Sequence, residues 1–146
     1  MPAIRNISVG LSVKDGHVLV LFGRDESIGI DFYRAIGGGI EFGERADEAL
    51  RREFLEELGV TVEDSQLLAV AENIFTYEGS PGHEIAHIFA VDCASLDALP
   101  LDAELHVLDE GSPVRWVPIG GLREGARPLY PSGATEALFA LVGAAA

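Results

Sequence analysis

The sequence predicts an α+β or α/β domain in which a mixed β-sheet is sandwiched between α-helices. Its 146 residues, of which 48% are hydrophobic, are enough for a single domain with one substantial core. Segments in which apolar and polar residues alternate outnumber the segments with helical periodicity. Two helical patterns are separated by several of these strand-like segments, as expected for helices that cover a sheet.

The N-terminal part of the chain predicts a β-hairpin. Apolar residues alternate with polar or small ones in residues 4–13, which indicates a strand with one buried face. Asp15 and Gly16 then predict a tight turn. Residues 18–22 are continuously apolar, as in a strand that is covered on both faces.

A glycine-rich stretch leads from this hairpin into a helix. Residues 23–31 are polar and contain two glycines, which predicts a loop, and residues 32–36 predict a short strand. Three glycines at 37–39 predict a second loop, and an acidic amphipathic helix follows. Gly59 is suited to the left-handed conformation that commonly ends a helix.

The second half of the chain predicts another hairpin and a terminal helix. Strands at 67–75 and 83–93 are joined by a turn at 76–82, which contains Gly and Pro. Residues 94–113 predict a long connection. The remaining elements are a short strand at 114–117, a helical turn at 119–122 and a helix at 133–145 that covers the sheet.

Composition restricts the possible partners. The formal net charge of −14 argues against general nucleic-acid binding, because phosphate backbones are bound by clusters of Lys and Arg. A small polyphosphate would instead need divalent cations held by carboxylates. No apolar run is long enough to span a membrane and no signal peptide is recognisable, so we expect a cytoplasmic protein. The single cysteine, Cys93, is expected to be a small buried hydrophobe.

Three carboxylates share one face of the acidic helix. Glu53, Glu56 and Glu57 stand at i, i+3 and i+4, and their mutual repulsion must be offset by protons, arginines or metal ions. Arg52 lies four residues before Glu56 and is therefore expected to hold the acids in place. An adjacent apolar stripe would fix the helix against the sheet; it consists of Leu50, Phe54 and Leu58.

Residues 38–60 resemble the signature of the Nudix hydrolase family over its full 23-residue length. The resemblance is carried by Gly38, Glu44 and the run Arg52-Glu53-Phe54-Leu55-Glu56-Glu57-Leu58-Gly59-Val60. Two positions depart from the usual pattern: Phe54 replaces an aliphatic residue, and Ile36 stands where a proline is common. The first still fills an apolar position, so neither departure argues against activity.

The resemblance implies a single Nudix domain over residues 1–146 and a metal-dependent reaction, in which water attacks a nucleoside diphosphate linked to another moiety. It further implies Mg²⁺ or Mn²⁺ as cofactor, with Glu53, Glu56, Glu57 and Arg52 in catalysis. The implied metal ligands are Glu53, Glu56, Glu57, the carbonyl of Gly37 or Gly38 and, through water, Glu44.

Outside this segment the candidates are individually weaker. An additional carboxylate could come from Glu84, Glu104, Asp109 or Glu110. Arg24, Tyr33 and Arg34 are candidates for contact with phosphate or base, and Tyr77 resembles a tyrosine of dinucleoside polyphosphate hydrolases, although packing explains it equally well. His83 and His87 are too far apart along a strand to chelate one ion, and Trp116 is expected in the core.

Two alternatives to a hydrolase remain at this level. A non-catalytic, nucleotide-sensing Nudix domain would usually have lost signature glutamates, and none is lost here. An isomerase of isoprenoid diphosphates would need a cysteine and further ligands that have no clear counterpart. The protein is expected to be a monomer or a homodimer that acts on a small nucleotide-type diphosphate.

Overall fold

A computed structural model describes residues 2–123 and 127–145. In this part of the chain, two β-sheets form the centre of the molecule and helices cover them. The strands are β1 Arg5–Leu11, β2 Val13–Lys14, β3 His17–Asp25, β4 Ile30–Arg34, β5 Ile36–Gly39, β6 Asp64–Tyr77, β7 Ser80–Asp92, β8 Glu104–His106, β9 Pro113–Pro118 and β10 Leu129–Tyr130. The helices are α1 Ala46–Leu58, α2 Ala94–Asp97, α3 Ile119–Arg123 and α4 Ala134–Ala145.

The first sheet is mixed, as predicted, with the strand order β5-β1-β7-β6. Strands β1 and β7 are parallel, whereas β5 pairs with β1 and β6 pairs with β7 in antiparallel fashion. The predicted turn at 76–82 is wrong in extent, because only Glu78 and Gly79 form the turn, with φ of 49° and 79°. Positive φ at both central residues gives the tight turn that matches the twist of two long strands.

The second sheet has the order β10-β4-β3-β9-β8, with β2 on β3. The predicted turn at Asp15 and Gly16 is confirmed, with φ of 48° and 73°. The predicted loop at 23–31 is wrong: β3 continues to Asp25 and β4 begins at Ile30. The ring of Phe32 lies 2.6 Å from the point that a Cβ on its cross-strand partner Gly23 would occupy. The aromatic ring therefore covers the glycine and extends the hairpin.

Two hydrophobic clusters lie on different sides of the sheets, which confirms the predicted sandwich. Leu50 and Phe54 of α1 are fully buried in one cluster, and Leu138 of α4 is fully buried in the other. Trp116 is 5% exposed beside the α1 residues, as expected for a core position. Cys93 is also buried, and its thiol donates a hydrogen bond to the Thr61 carbonyl at 3.3 Å.

Several shorter elements complete the fold. The predicted long connection at 94–113 contains α2 and β8, and the predicted helical turn at 119–122 is α3. Gly59 ends α1 with φ of 68°, as its position predicts. Within the described residues, no helix has both the length and the apolar character needed to cross a membrane.

Candidate active site

The glycines before α1 form a strand rather than the predicted loop. Strand β5 pairs with β1, with Gly37 opposite Val9 and Gly38 opposite Ser8. Gly37 has φ of 150°, and a Cβ there would lie 2.0 Å from the Ser8 carbonyl oxygen. A Cβ on Gly38 would lie 2.7 Å from the carboxylate of Glu53. The absence of side chains therefore lets this backbone approach both β1 and the acids of α1.

Helix α1 is fixed against the first sheet by a close fit. A Cβ on Gly10 of β1 would lie 2.8 Å from the Phe54 ring, so glycine provides the space for this large aromatic residue. The Ser8 hydroxyl donates a hydrogen bond to the Ala46 carbonyl at 2.7 Å, at the start of the helix. The expectation that the apolar stripe anchors α1 is confirmed, and the acidic face of the helix is thereby held in a defined orientation.

Arg52 connects the acids around the start of α1. Its Nε and Nη2 donate to the two carboxylate oxygens of Glu44 at 2.8 Å each, and Nη2 also donates to the Gly39 carbonyl at 2.8 Å. Nη1 donates to Glu53 at 3.0 Å and to Glu56 at 3.3 Å. The guanidinium lowers the pKa of Glu44 to about 2, and in turn Glu44 raises the pKa of Arg52. The predicted contact between Arg52 and Glu56 is thus confirmed.

Glu57 occupies an unusual position for a carboxylate. Its Oε2 atom is buried and has no hydrogen-bond partner among the described residues. Burial, and secondarily the negative charge of Glu53, raise the pKa of Glu57 to about 7, while the positive charge of Arg34 acts in the opposite direction. A buried, partnerless carboxylate oxygen beside a second acid is electrostatically unfavourable. This point of the site therefore favours a bound cation.

The protein side chains do not form a complete metal cage by themselves. In residues 2–123 and 127–145, no three His, Cys, Asp or Glu side chains converge as a ready-made metal site. Mg²⁺ is commonly bound by only one or two carboxylates together with water and substrate phosphate. Glu53 and Glu57, beside the glycine backbone of β5, fit such an incomplete site.

A cleft of about 870 Å³ opens beside these carboxylates. Glu53, Glu57 and the backbone of Gly37 and Gly38 line one end of it. Several candidates from outside the signature also line the cleft, among them Arg34, Tyr77, Glu84 and Glu110. The fold thus brings together residues from β4, β6, β7 and the 94–113 connection, but their contact with substrate stays a prediction.

Arg24, another predicted contact, is held by neighbouring acids. Its guanidinium donates to Asp31 at 2.9 Å and pairs with Glu26 at 3.4 Å. Its carbonyl accepts a hydrogen bond from the Tyr77 hydroxyl at 3.3 Å. Substrate binding by Arg24 stays a prediction, with its guanidinium engaged within its own hairpin.

Three aromatic side chains that contact one another also line the cleft. The ring of Phe32 makes edge-to-face contacts with Tyr77 and Tyr130, with centroid distances of 6.0 and 5.4 Å. Asp25 lies nearby and accepts hydrogen bonds from the Ser27 hydroxyl at 2.6 Å and from the Glu78 backbone N–H at 3.1 Å. Phe32, Tyr130 and Asp25 were not predicted as site residues, since only the pairing of distant strands places them here.

The remaining candidates are dispersed. His83 contacts Glu72 at 3.3 Å and the His87 ring nitrogen contacts the Ile7 carbonyl at 3.3 Å, so the two histidines have separate partners. Glu104 pairs with Arg115 at 3.4 Å. By contrast, Asp109 lines the cleft, and its negative charge contributes to the raised pKa of Glu57.

Comparison with known proteins agrees with this geometry. Residues 4–134 match the model of the NUDIX domain. Over 70 residues the chain is 39% identical to an RNA pyrophosphohydrolase from Teredinibacter turnerae; the match covers 48% of this chain and 40% of that protein. The chain therefore spans less than half the length of this curated relative.

Solved structures show the same fold at low identity. The E. coli ORF135 protein superposes with a TM-score of 0.69 at 22% identity, covering 98% of this chain and 94% of that one. A MutT NUDIX hydrolase from Burkholderia pseudomallei superposes with a TM-score of 0.61 at 23% identity, covering 81% of this chain and 85% of that one.

Proposed function

Because this chain belongs to the Nudix family, we propose that it is a divalent-cation-dependent pyrophosphohydrolase, which cleaves a phosphoanhydride bond in a nucleoside diphosphate linked to another moiety. The observation that carries the proposal is the buried, partnerless carboxylate oxygen of Glu57 beside Glu53 and the bare backbone of β5. Such a position is costly for the unliganded protein and is relieved by a cation that also binds phosphate.

The donor set fits Mg²⁺ or Mn²⁺. Both are hard cations that prefer oxygen ligands, and the candidates here are carboxylates and backbone carbonyls only. Glu53, Glu56 and Glu57, with the carbonyl of Gly37 or Gly38, would hold the ion. Glu44 is less suited to direct ligation, since Arg52 engages both of its oxygens. When bound, the ion would neutralise the diphosphate and lower the pKa of a coordinated water.

The protein side chains would have different roles in this reaction. A new bond forms between the water oxygen and a phosphorus atom, and the bond from that phosphorus to its bridging oxygen breaks. Glu53 would accept the proton of the water, and the leaving phosphate departs with the bond's electron pair. Arg52 keeps Glu53 and Glu56 oriented through its hydrogen bonds and is a positioning residue in this scheme.

Asp109 is the best-supported carboxylate from outside the helix. It lines the cleft and its charge acts on Glu57, whereas Glu104 is engaged with Arg115. Glu110 also lines the cleft and accepts a hydrogen bond from the Ser112 hydroxyl. Asp109 would therefore serve as an extra ligand or as an alternative base.

A nucleotide is the substrate class that suits the cleft. Its carboxylates match a diphosphate with cations, and its aromatic side chains Phe32, Tyr77 and Tyr130 offer apolar surface for a base. The similarity to an RNA pyrophosphohydrolase supports a nucleotide-type substrate, and the position of Tyr77 adds a weak preference for dinucleoside polyphosphates. The net charge of −14 favours a small molecule over a long nucleic acid.

A substrate panel tests the proposal. Dinucleoside polyphosphates, nucleoside triphosphates, nucleoside diphosphate sugars and a 5′-triphosphorylated oligonucleotide are incubated with Mg²⁺ or Mn²⁺, and the products are identified by chromatography. We expect cleavage of at least one compound at a phosphoanhydride bond. Tight binding of a nucleotide without any product would instead support the nucleotide-sensing alternative.

The variant Glu57→Gln tests the role of the helix carboxylates. Its kcat should fall at least about 100-fold, as is typical when a group that acts on the transition state is removed. Its melting temperature without metal should not fall, because the substitution removes a buried negative charge whose Oε2 atom has no hydrogen-bond partner. Glu136→Gln, which changes an exposed carboxylate on α4, is the matched control and should leave kcat unchanged. Undiminished hydrolysis by Glu57→Gln would contradict the mechanism.

A further inference from the structure

Two arginines line the cleft that the reaction above does not use. Among the described residues that line it, Arg5 and Arg34 are the only Lys, Arg or His side chains, and they are outnumbered by carboxylates. A phosphate chain that enters this cleft can therefore meet positive charge at bound cations or at these two guanidiniums. Arg5 was not singled out from the sequence, because nothing in its local pattern distinguishes it from a surface residue.

The two arginines converge on one carboxylate oxygen. Arg5 of β1 and Glu84 of β7 are partners in the parallel strand pair, and Arg5 Nη1 lies 3.5 Å from Glu84 Oε2. Arg34 reaches the same oxygen from β4 of the other sheet, with Nη2 at 4.0 Å. The Glu84 side chain is only 13% exposed, whereas those of Arg5 and Arg34 are 55% and 36% exposed. Glu84 thus holds two solvent-accessible guanidiniums towards one point.

These contacts leave donor capacity in both arginines. A strong charge-assisted N–H···O bond is about 2.7–2.9 Å long, and both contacts with Glu84 are well beyond that range. In the part of the chain that the structure describes, neither guanidinium donates a hydrogen bond. Arg52 is the contrast, since it makes several short bonds to carboxylates and a carbonyl. The N–H groups of Arg5 and Arg34 are therefore available to a ligand with better acceptor geometry.

The pair lines the same cleft as Glu53 and Glu57. Arg5 Nη2 is 3.4 Å from the point that a Cβ on Gly39 would occupy, and the Glu53 carboxylate is 2.7 Å from the equivalent point on Gly38. Because successive residues of a strand face opposite sides, Arg5 and Glu53 approach β5 from opposite faces. The positive charge of Arg34 acts against the raised pKa of both Glu57 and Tyr77, and all three residues line the cleft.

We propose that Arg5 and Arg34 form a phosphate-binding pair, which binds the portion of the substrate's phosphate chain that lies next to the carboxylates of α1, and that Glu84 is their counter-ion when no substrate is present. This inference rests on the proposed function in that the ligand is a phosphate chain. A guanidinium presents paired N–H donors that match phosphate oxygens, and a phosphate offers more acceptors and more charge than one carboxylate. Because the arginines come from different sheets, one phosphate group would bridge both sheets of the fold.

Equilibrium binding of methylenediphosphonate in the presence of Mg²⁺ tests the pair directly. This compound mimics a diphosphate but cannot be hydrolysed, so calorimetry reports binding without turnover. Arg5→Gln and Arg34→Gln should each weaken binding about 10- to 100-fold, the loss expected for a hydrogen bond to a charged group. Arg5→Lys and Arg34→Lys should bind with intermediate affinity, since they keep the charge but lose the paired donors.

Two further variants test whether the effect is specific to the arginine pair and to its counter-ion. Arg51→Gln is the matched control, because Arg51 is a half-exposed arginine on α1 that pairs with Asp47 and does not line the cleft; its affinity should equal that of the wild type. Glu84→Gln should bind methylenediphosphonate more tightly, by about two- to tenfold, since a competing negative charge is removed. Circular dichroism and melting temperatures verify that each variant is folded.

Failure of the phosphate-binding pair and failure of the proposed hydrolase function would give different results. Unchanged affinity in folded Arg5→Gln and Arg34→Gln would overturn the phosphate-binding pair, even when the substrate panel yields products. Loss of Mg²⁺-dependent binding in Glu84→Gln would also overturn it, because Glu84 would then belong to the cation site. Arginine-dependent binding combined with no hydrolysis of any panel compound would support the pair and contradict the hydrolase function.

Discussion

Arg52 compensates part of the negative charge on the acidic face of α1. It donates to Glu44, Glu53 and Glu56 and to one carbonyl of β5, so a single cation offsets several negative charges. Glu57 alone of the three acids on this face receives no contact from Arg52 in the described structure. Arg52 thus orients the acids at the edge of the site, whereas Glu57 is available to a bound cation.

Asp25, which lines the cleft, has a structural role, and Asp25→Asn tests it. The carboxylate is 7% exposed and connects two hairpins, through Ser27 in one and the Glu78 N–H in the other. An amide has only one acceptor oxygen, so one of these contacts is lost. We expect the melting temperature at neutral pH to fall by a few degrees.

The pH dependence of this effect follows from the pKa of Asp25. The Ser27 hydroxyl, and next the Glu78 N–H, hold that pKa below its usual range. A depressed folded-state pKa means that the stabilisation is present above the ordinary aspartate pKa and is lost as the pH falls through the depressed value. The melting temperatures of the wild type and Asp25→Asn should therefore converge as the pH falls below the ordinary aspartate pKa. A constant difference across the pH series would contradict this assignment, and Asp102→Asn, at an exposed position, is the control.

Among the structural elements, β5 places the backbone of the site, and Gly37→Ala tests this function. The added Cβ would lie 2.0 Å from the Ser8 carbonyl oxygen, so β5 would have to separate from β1. Gly16→Ala is the control, because Gly16 also has positive φ but has no atom within 4 Å of the added Cβ. The free energy of unfolding of Gly16→Ala should fall only by the backbone strain, which is about 1–2 kcal/mol.

The difference between these two variants is the decisive measurement. In denaturant unfolding, the free energy of unfolding should fall clearly more in Gly37→Ala than in Gly16→Ala, because Gly37→Ala adds a backbone clash to the backbone strain. It should also weaken Mg²⁺ binding, since Gly38 and its contact with Glu53 move together with the strand. Equal losses in the two variants would show that close pairing of β5 with β1 is not required.

The hairpins show why some elements could not be predicted from the sequence. Residues 23–31 and 76–82 contain glycine and polar residues, which locally favour loops, yet most of them belong to long strands. In both hairpins a phenylalanine ring covers a cross-strand glycine: Phe32 covers Gly23, and Phe75 covers Gly82. This stabilisation depends on the pairing of two strands, so it is invisible to a local reading of either one.

At the scale of the whole molecule, the predictable part of the site is the part that is contiguous in sequence. Fixed spacing placed Glu53, Glu56 and Glu57 on one face of α1, and i to i+4 spacing gave the Arg52–Glu56 contact. Arg34 was a candidate phosphate contact from the sequence and Arg5 was not, but their convergence on Glu84 arises only from the order of strands in two sheets. Their roles depend on long-range topology, which one sequence does not specify by periodicity.

Because the net charge of the protein is −14, we expect divalent cations to stabilise the folded molecule. Any salt screens the general repulsion among acidic side chains, so NaCl should raise the melting temperature modestly. MgCl₂ at equal ionic strength should raise it further, because specific binding to the folded state adds about 2.7 kcal/mol when the free ion is at about 100 times its Kd. A chelator should remove only this additional part.

Glu57→Gln separates the specific contribution from the general one. The variant changes the total charge by one unit, so its response to NaCl should match that of the wild type, and Glu136→Gln controls for that unit of charge. Its additional response to MgCl₂ should be largely absent, because the buried Glu57 oxygen that lacks a partner is the proposed point of attachment. Equal melting-temperature shifts in NaCl and MgCl₂ for the wild type would mean that the folded protein has no specific cation site without substrate. An undiminished MgCl₂ response in Glu57→Gln would place that site elsewhere on the acidic surface.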